Sequence, residues 1–206
     1  MKIIKPSVEI LDDLNPEEIL KKLELCGRVC YKSEDKITPE SAIKFISNIV
    51  KRGHESVIEH FSFSVKFIVD RGVSHEIVRH RLASYSQEST RYCNYSKDGF
   101  DNQITVIEPS FLVNDTDGYE IWERGCKQAE QAYFDMLNYG CTAQEARSVL
   151  PNSLKTELIM TANIRAWRHF LKLRTSKAAH PQIREVAEML LEQLNFILPG
   201  LFDDIE

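Results

Sequence analysis

The chain reads as an α+β protein, a mixed sheet packed with long helices in a single domain spanning residues 1–206, on three observations. From Phe61 to Val69, Phe61, Phe63, Val65, Phe67 and Val69 alternate with Ser62, Ser64 and Lys66, the period-two pattern of a half-buried strand. Elsewhere apolar residues recur at helical spacing behind well-formed helix starts. No Gly-x-Gly-x-x-Gly and no Walker sequence occurs, so neither a Rossmann nor a P-loop nucleotide fold is expected. With 43% hydrophobic residues and no low-complexity segment, the chain has enough apolar material for a full core.

Val8 to Leu11 reads as a short strand. A helix follows, with Asn15 as N-cap, Pro16 at its first position, Glu17 and Glu18 in the first turn and a Leu14–Ile19 staple. It is expected to reach about Cys30, burying Ile19, Leu23, Cys26 and Cys30. Thr38-Pro39-Glu40 opens a second helix with Ile43, Ile46 and Val50 on one face and Gly53 as its stop. His54 to His60 is a polar loop that leads into the alternating strand. Asp70 then caps a short helix through Val73, Ile77 and Val78. Ile104 to Ile107 is a candidate strand. Asp117 to Tyr139 is an amphipathic helix with Trp122, Cys126, Ala129, Tyr133 and Met136 in register, closed by Gly140. Thr142 and Glu145 form a capping box for a short helix that stops at Pro151. Leu154 to Leu173 is expected to form one long helix, and a last helix begins near Pro181 and ends near Ile197.

No window approaches the roughly 20 apolar residues of a membrane span, and Met1-Lys2-Ile3-Ile4-Lys5-Pro6 lacks the features of a signal peptide, so a cytoplasmic location and no membrane partner are expected. The five cysteines are odd in number and scattered, which points to reduced thiols. His54 and His60 are six apart, and neither a helix nor a strand brings them together with Glu55 and Glu59, so no metal is expected. A net charge of −5 disfavours nucleic acid, which needs a broad basic surface.

Against that acidic background, Arg79 to Arg91 carries three guanidiniums and one carboxylate. Arginine's planar fork donates paired hydrogen bonds to phosphates and carboxylates at any working pH, so the stretch suits a small anion. A solvated basic turn is the bland alternative, but the run Ser84 to Tyr92 is too polar for core and too rich in side-chain donors for a linker. The Arg79–Arg81 cluster follows a helix C-terminus, whose partial negative charge accommodates cations, so side chains would bind the anion. A second basic stripe carries Asn163, Arg165, Arg168, His169 and Arg174; Arg165 and Arg168 in ordinary surface ion pairs is its bland reading.

Arg79-His80-Arg81, seven further residues and then Ser89 resembles the signature of the flavin-dependent thymidylate synthases. Arg147-Ser148-Val149-Leu150-Pro151, Asn163 to Phe170 and Leu171 to Arg174 resemble segments of the same family in the same order. The resemblance implies methylation of dUMP to dTMP with FAD, NADPH and methylenetetrahydrofolate. It implies FAD binding by Ser56, Arg79, His80, Arg81, Gln87, Asn163, Arg165 and His169, and dUMP binding by Glu76, Arg79, Gln87, Glu88, Ser89, Thr90, Arg91, Arg147 and Arg174. It further implies a homotetramer whose active sites are shared between subunits. This chain departs from the family in having Glu76 where many members have Gln, Gln87 where many have Glu, and His169 where some have Asn.

The implied mechanism has no cysteine nucleophile; Arg174 stabilises the N3-deprotonated uracil and so enriches the ring in electrons. Cys93, in Arg91-Tyr92-Cys93-Asn94, has no partner base in sequence, and Ser89 is read as a holding hydroxyl. The competing readings are a non-catalytic nucleotide- or RNA-binding module using the same arginines, and a structural helical protein whose arginines are surface pairs.

Overall fold

A computed structural model describes residues 1–97 and 99–205. The strands are β1 (Lys2–Ile4), β2 (Ser7–Ile10), β3 (Ser62–Asp70), β4 (Ala83–Gln87), β5 (Thr105–Ile107) and β6 (Lys155–Asn163). The helices are α1 (Pro16–Val29), α2 (Ser41–Lys51), α3 (Arg71–Ile77), α4 (Thr116–Tyr139), α5 (Ala143–Ala146), α6 (Ile164–Arg174) and α7 (Pro181–Ile197). β1 pairs in parallel with β5, Lys2 opposite Thr105 and Ile4 opposite Ile107. The other four strands form one sheet in the order β2-β3-β6-β4. The expected α+β class holds.

Contacts divide the chain into two compact units, and the division falls within β3, β4 and β6. The first comprises Met1–Ser7, Phe67–Arg79 and Tyr85–Ile159. Its core gathers Tyr95, Ile104, Val106, Cys126, Tyr133, Ala146 and Leu154, with Tyr95 and Tyr133 ring to ring at 5.6 Å. The second comprises Val8–Lys66, His80–Ser84 and Met160–Glu206. There Phe63 stacks on Trp167 at 5.3 Å, and the Trp167 indole N–H donates to the Phe63 carbonyl at 3.2 Å, so the largest buried side chain also satisfies its one polar atom.

Local chemistry explains the helix boundaries. The Asn15 side chain accepts from the N–H groups of Glu17 and Glu18, Asp70 accepts from Val73 N at 2.7 Å, and the Thr142–Glu145 capping box is formed. α4 closes on Gly140, whose φ of 106° is left-handed backbone that a side chain would strain.

Several expectations need correction. Leu154 to Leu173 is not one helix: it is β6 followed by α6. Thr156, Leu158, Met160 and Ala162 are buried in alternation, and Asn163 N-caps the new helix by accepting from Ala166 N at 2.9 Å. The first half of the polar run after Arg81 is strand β4. α2 opens at Ser41, later than Thr38, and the Ser41 hydroxyl is the group that accepts from Thr38 N. Ile43 is 54% exposed, while Ile49 is buried in its place. Cys30 is exposed beyond the end of α1. His54 to His60 is mostly a short 3-10 helix, Glu55–His60. β1 was not expected.

Among the described residues no helix is long and apolar enough to cross a membrane, and no group of three His, Cys, Asp or Glu side chains is placed to hold a metal ion. All five cysteines are free.

Candidate functional site

In the first unit, β4 delivers the chain into a tight turn. Gln87 donates to Ser74 Oγ at 2.9 Å and to Thr156 Oγ1 at 3.2 Å, both hydroxyls belonging to buried residues. Glu88 accepts from Lys155 Nζ at 2.9 Å. The Ser89 carbonyl accepts from Tyr92 N and Cys93 N, while its hydroxyl accepts from Arg91 N at 3.3 Å. Arg147, at the start of a 3-10 turn after α5, donates to Thr90 Oγ1 at 3.4 Å, and Arg91 donates to Gln144 at 3.4 Å.

Beside this turn lies an open cleft of about 740 Å³ lined by Arg71, His75, Thr90, Gln144 and Arg147 among others. Two guanidiniums on one concave wall, with amide and hydroxyl groups between them, suit an anion. Gly72 lets the backbone pass close by, since a Cβ there would meet the Asn152 amide nitrogen at 2.8 Å. Of the residues expected at the substrate, Thr90 and Arg147 line the cleft; Glu76, Arg79, Gln87, Glu88, Ser89 and Arg91 lie in the same unit without appearing in its wall.

Cys93 stays a thiol. Burial raises its pKa above the ordinary value, and the Glu88 charge adds to that.

In the second unit, α6 carries the other basic cluster. Arg174 Nε donates to His80 Nε2 at 3.1 Å. His80 is 9% exposed; its ring meets His169 at 5.8 Å and Phe170 at 5.0 Å. Burial pushes the His80 pKa down to about 4, with the Arg174 charge helping, so the imidazole is neutral at ordinary pH and accepts through Nε2. The proton of that neutral ring then sits on Nδ1.

A separate cavity of about 390 Å³ in this unit brings Ser56 and Arg165 together with Tyr31, His54 and Glu55. Arg165 is 53% exposed and paired with Glu59 at 2.5 Å, a hydrogen bond that raises its pKa further. Arg81 and His169 are exposed, and Asn163 uses its side-chain oxygen to cap α6. The surface ion-pair reading therefore fits Arg165 alone; Arg168 is paired but buried, at 1% exposure, and Arg174 contacts an imidazole.

The sequence reading missed Arg71, His75 and Gln144 in the cleft wall and Lys155 beneath Glu88. Lys155 and Glu157 are two apart in a strand and therefore share a face, but assigning that stretch to a helix hid the pairing.

The family model described as thymidylate synthase complementing protein matches residues 10–200. The chain belongs to this family. As a member of the thymidylate synthase complementing proteins, it is 34% identical over 187 residues to the flavin-dependent thymidylate synthase of Geobacter sulfurreducens, covering 87% of this chain and 79% of that one. To the flavin-dependent thymidylate synthase of Mycolicibacterium gilvum it is 33% identical over 219 residues, covering 98% and 84%. Its fold also resembles the crystal structure of a UMP/dUMP methylase from Streptomyces cacaoi bound with 5-Br dUMP, with a TM-score of 0.81 at 24% identity over 98% of this chain and 96% of that chain.

Proposed function

We propose that this protein is a flavin-dependent thymidylate synthase, acting through residues 1–206 as one domain, that reductively methylates dUMP to dTMP with methylenetetrahydrofolate as carbon donor and yields tetrahydrofolate. Family membership across residues 10–200 is the observation that carries this reading. The two basic clusters support it, because the substrate is a phosphate monoester and FAD carries a pyrophosphate.

The residues present fit the flavin. Arg165 and Ser56 face one cavity and supply a cation and a hydroxyl, and exposed Arg79, Arg81 and His169 offer further donors. His80 and Asn163, with Gln87 at the end of β4, complete the set that would hold FAD. FAD, when bound and reduced by NADPH, supplies the hydride that completes the methyl group.

The nucleotide is held by Glu76, Arg79, the loop from Gln87 through Glu88, Ser89 and Thr90 to Arg91, Arg147 and Arg174. Thr90 and Arg147 already share the wall of the open cleft, and the Ser89 hydroxyl sits at the head of the turn. Arg174 is the catalytic residue: its fixed positive charge stabilises the uracil deprotonated at N3 and thereby raises electron density in the ring. Neutral His80 accepts the Arg174 Nε hydrogen and so orients the guanidinium without adding a competing charge. Neither Cys93, kept protonated by burial, nor Ser89 serves as nucleophile. The enzyme acts in the cytoplasm as a homotetramer whose subunits share active sites.

The test uses dUMP tritiated at C5, whose label is lost to water when a methyl group replaces it. Incubation with FAD, NADPH and methylenetetrahydrofolate is expected to release tritium and form dTMP, and omitting FAD from apoprotein is expected to stop both. Binding of dUMP without tritium release in the complete mixture would contradict the reading.

A further inference from the structure

Beneath the turn that carries Ser89, Glu88 belongs to an ion cluster whose other members, Lys155 and Glu157, have no part in the assignments above. Lys155 Nζ lies 2.9 Å from Glu88 Oε2 and 2.7 Å from Glu157 Oε1, and Glu157 N donates to that same Glu88 oxygen at 3.2 Å. The backbone repeats the connection, since Glu88 N donates to the Glu157 carbonyl at 2.9 Å and the Glu88 carbonyl accepts from Arg71 at 3.3 Å. Glu88 is therefore fixed through its carboxylate, its N–H and its carbonyl at the residue before the turn begins.

The Lys155 and Glu88 side chains are only 18% and 13% exposed, so solvent screens the pair weakly. Burial disfavours the Lys155 ammonium, but hydrogen bonds to Glu157 and Glu88 more than offset it and hold its pKa above the usual lysine value. Without that ammonium two carboxylates would share one small volume beside a loop that must accept an anion. Like charges repel there, and each would also oppose an incoming phosphate.

We propose that Lys155 is a positioning residue for nucleotide binding: it clamps and neutralises Glu88, and thereby sets the turn that presents Ser89, Thr90 and Arg91 to the nucleotide phosphate. This rests on the reading of that loop as the dUMP site. Lys155 touches neither substrate nor cofactor; it acts through Glu88.

The experiment compares Lys155→Met, Lys155→Arg, Glu88→Gln and the Lys155→Met/Glu88→Gln double variant in the FAD-loaded full-length enzyme, measuring kcat and the KM for dUMP alongside flavin content. Lys155→Met is expected to raise the KM about tenfold while kcat and flavin content change less than about threefold, the pattern of lost uniform binding. Lys155→Arg keeps the charge and is expected to stay within about threefold of the unmodified enzyme. Glu88→Gln is expected to raise the KM by about threefold, and the double variant to be no worse than Lys155→Met alone, because both changes remove one interaction. If Lys155→Met fails to fold, Glu88→Gln decides. An unchanged dUMP KM in every folded variant that breaks the pair, or full additivity in the double variant, overturns the inference while leaving the enzyme reading intact. An unmodified protein that neither binds FAD nor turns over dUMP would instead remove that reading.

Discussion

Arg168 and Arg174 lie six residues apart in sequence on α6 and differ in burial and in the acceptors they are seen to reach. Arg168 is 1% exposed, grips both oxygens of Asp204 at 2.7 and 2.8 Å, donates to Glu55 at 3.2 Å and also donates to the Leu201 carbonyl. Burial opposes its charge, but the Asp204 hydrogen bonds overcome that and hold its pKa above the ordinary arginine value. Arg174 is half-buried and donates to the neutral ring of His80. A guanidinium enclosed by carboxylates ties the fold together. One that donates to a neutral acceptor is oriented by a group that leaves its charge intact.

The comparison breaks if the two arginines respond alike to mutation. Arg168→Ala leaves the Glu55 and Asp204 carboxylates without their buried partner and is expected to cost about 4 kcal/mol of unfolding free energy, read by urea denaturation. The His80 contact separates from it by pH. His80 is neutral in the fold down to about pH 4 but protonates near its ordinary value once unfolded, so the unfolded chain binds the extra proton. Stability is therefore fully present above about pH 6.5 and declines as pH falls from there toward 4, by on the order of 3 kcal/mol, and His80→Gln is expected to flatten that slope. Equal slopes in the two proteins would place the titrating group elsewhere.

Arg174→Ala is expected to leave the urea midpoint nearly unchanged and to keep bound flavin, while kcat falls about 100-fold. Lost flavin with turnover restored by added FAD would make Arg174 a cofactor residue. Ser89→Ala is expected to have a smaller effect, a rise of about tenfold in dUMP KM with activity retained at saturation. Complete loss at saturating dUMP would point to a nucleophilic hydroxyl.

Of the residues expected at the substrate, Thr90 and Arg147 reach the cleft wall, while Arg71, His75 and Gln144 beside them carried no sequence signal. Arg79 to Arg81, Ser89, Arg147 and Arg174 stand out because their side chains are unusual for their positions whatever the backbone does. The caps at Asn15, Asp70 and Thr142 were legible because one side chain meets one local set of N–H groups. β6 was not, because Leu158-Ile159-Met160 is an apolar run that fits a helix or a strand, and only pairing with β3 and β4 decides between them. β1 is three residues long and exists through its partner β5, which lies about a hundred residues away in sequence. The Lys155–Glu88 pair joins segments far apart in sequence, so no local pattern announces it.

The most direct test of the central claim is the visible spectrum of FAD mixed with the purified protein, followed anaerobically after NADPH with and without dUMP. The account predicts a bound-flavin spectrum that bleaches on reduction, at a rate or amplitude that dUMP changes. A free-FAD spectrum unaltered by the protein would contradict it and assign the arginines to another anion.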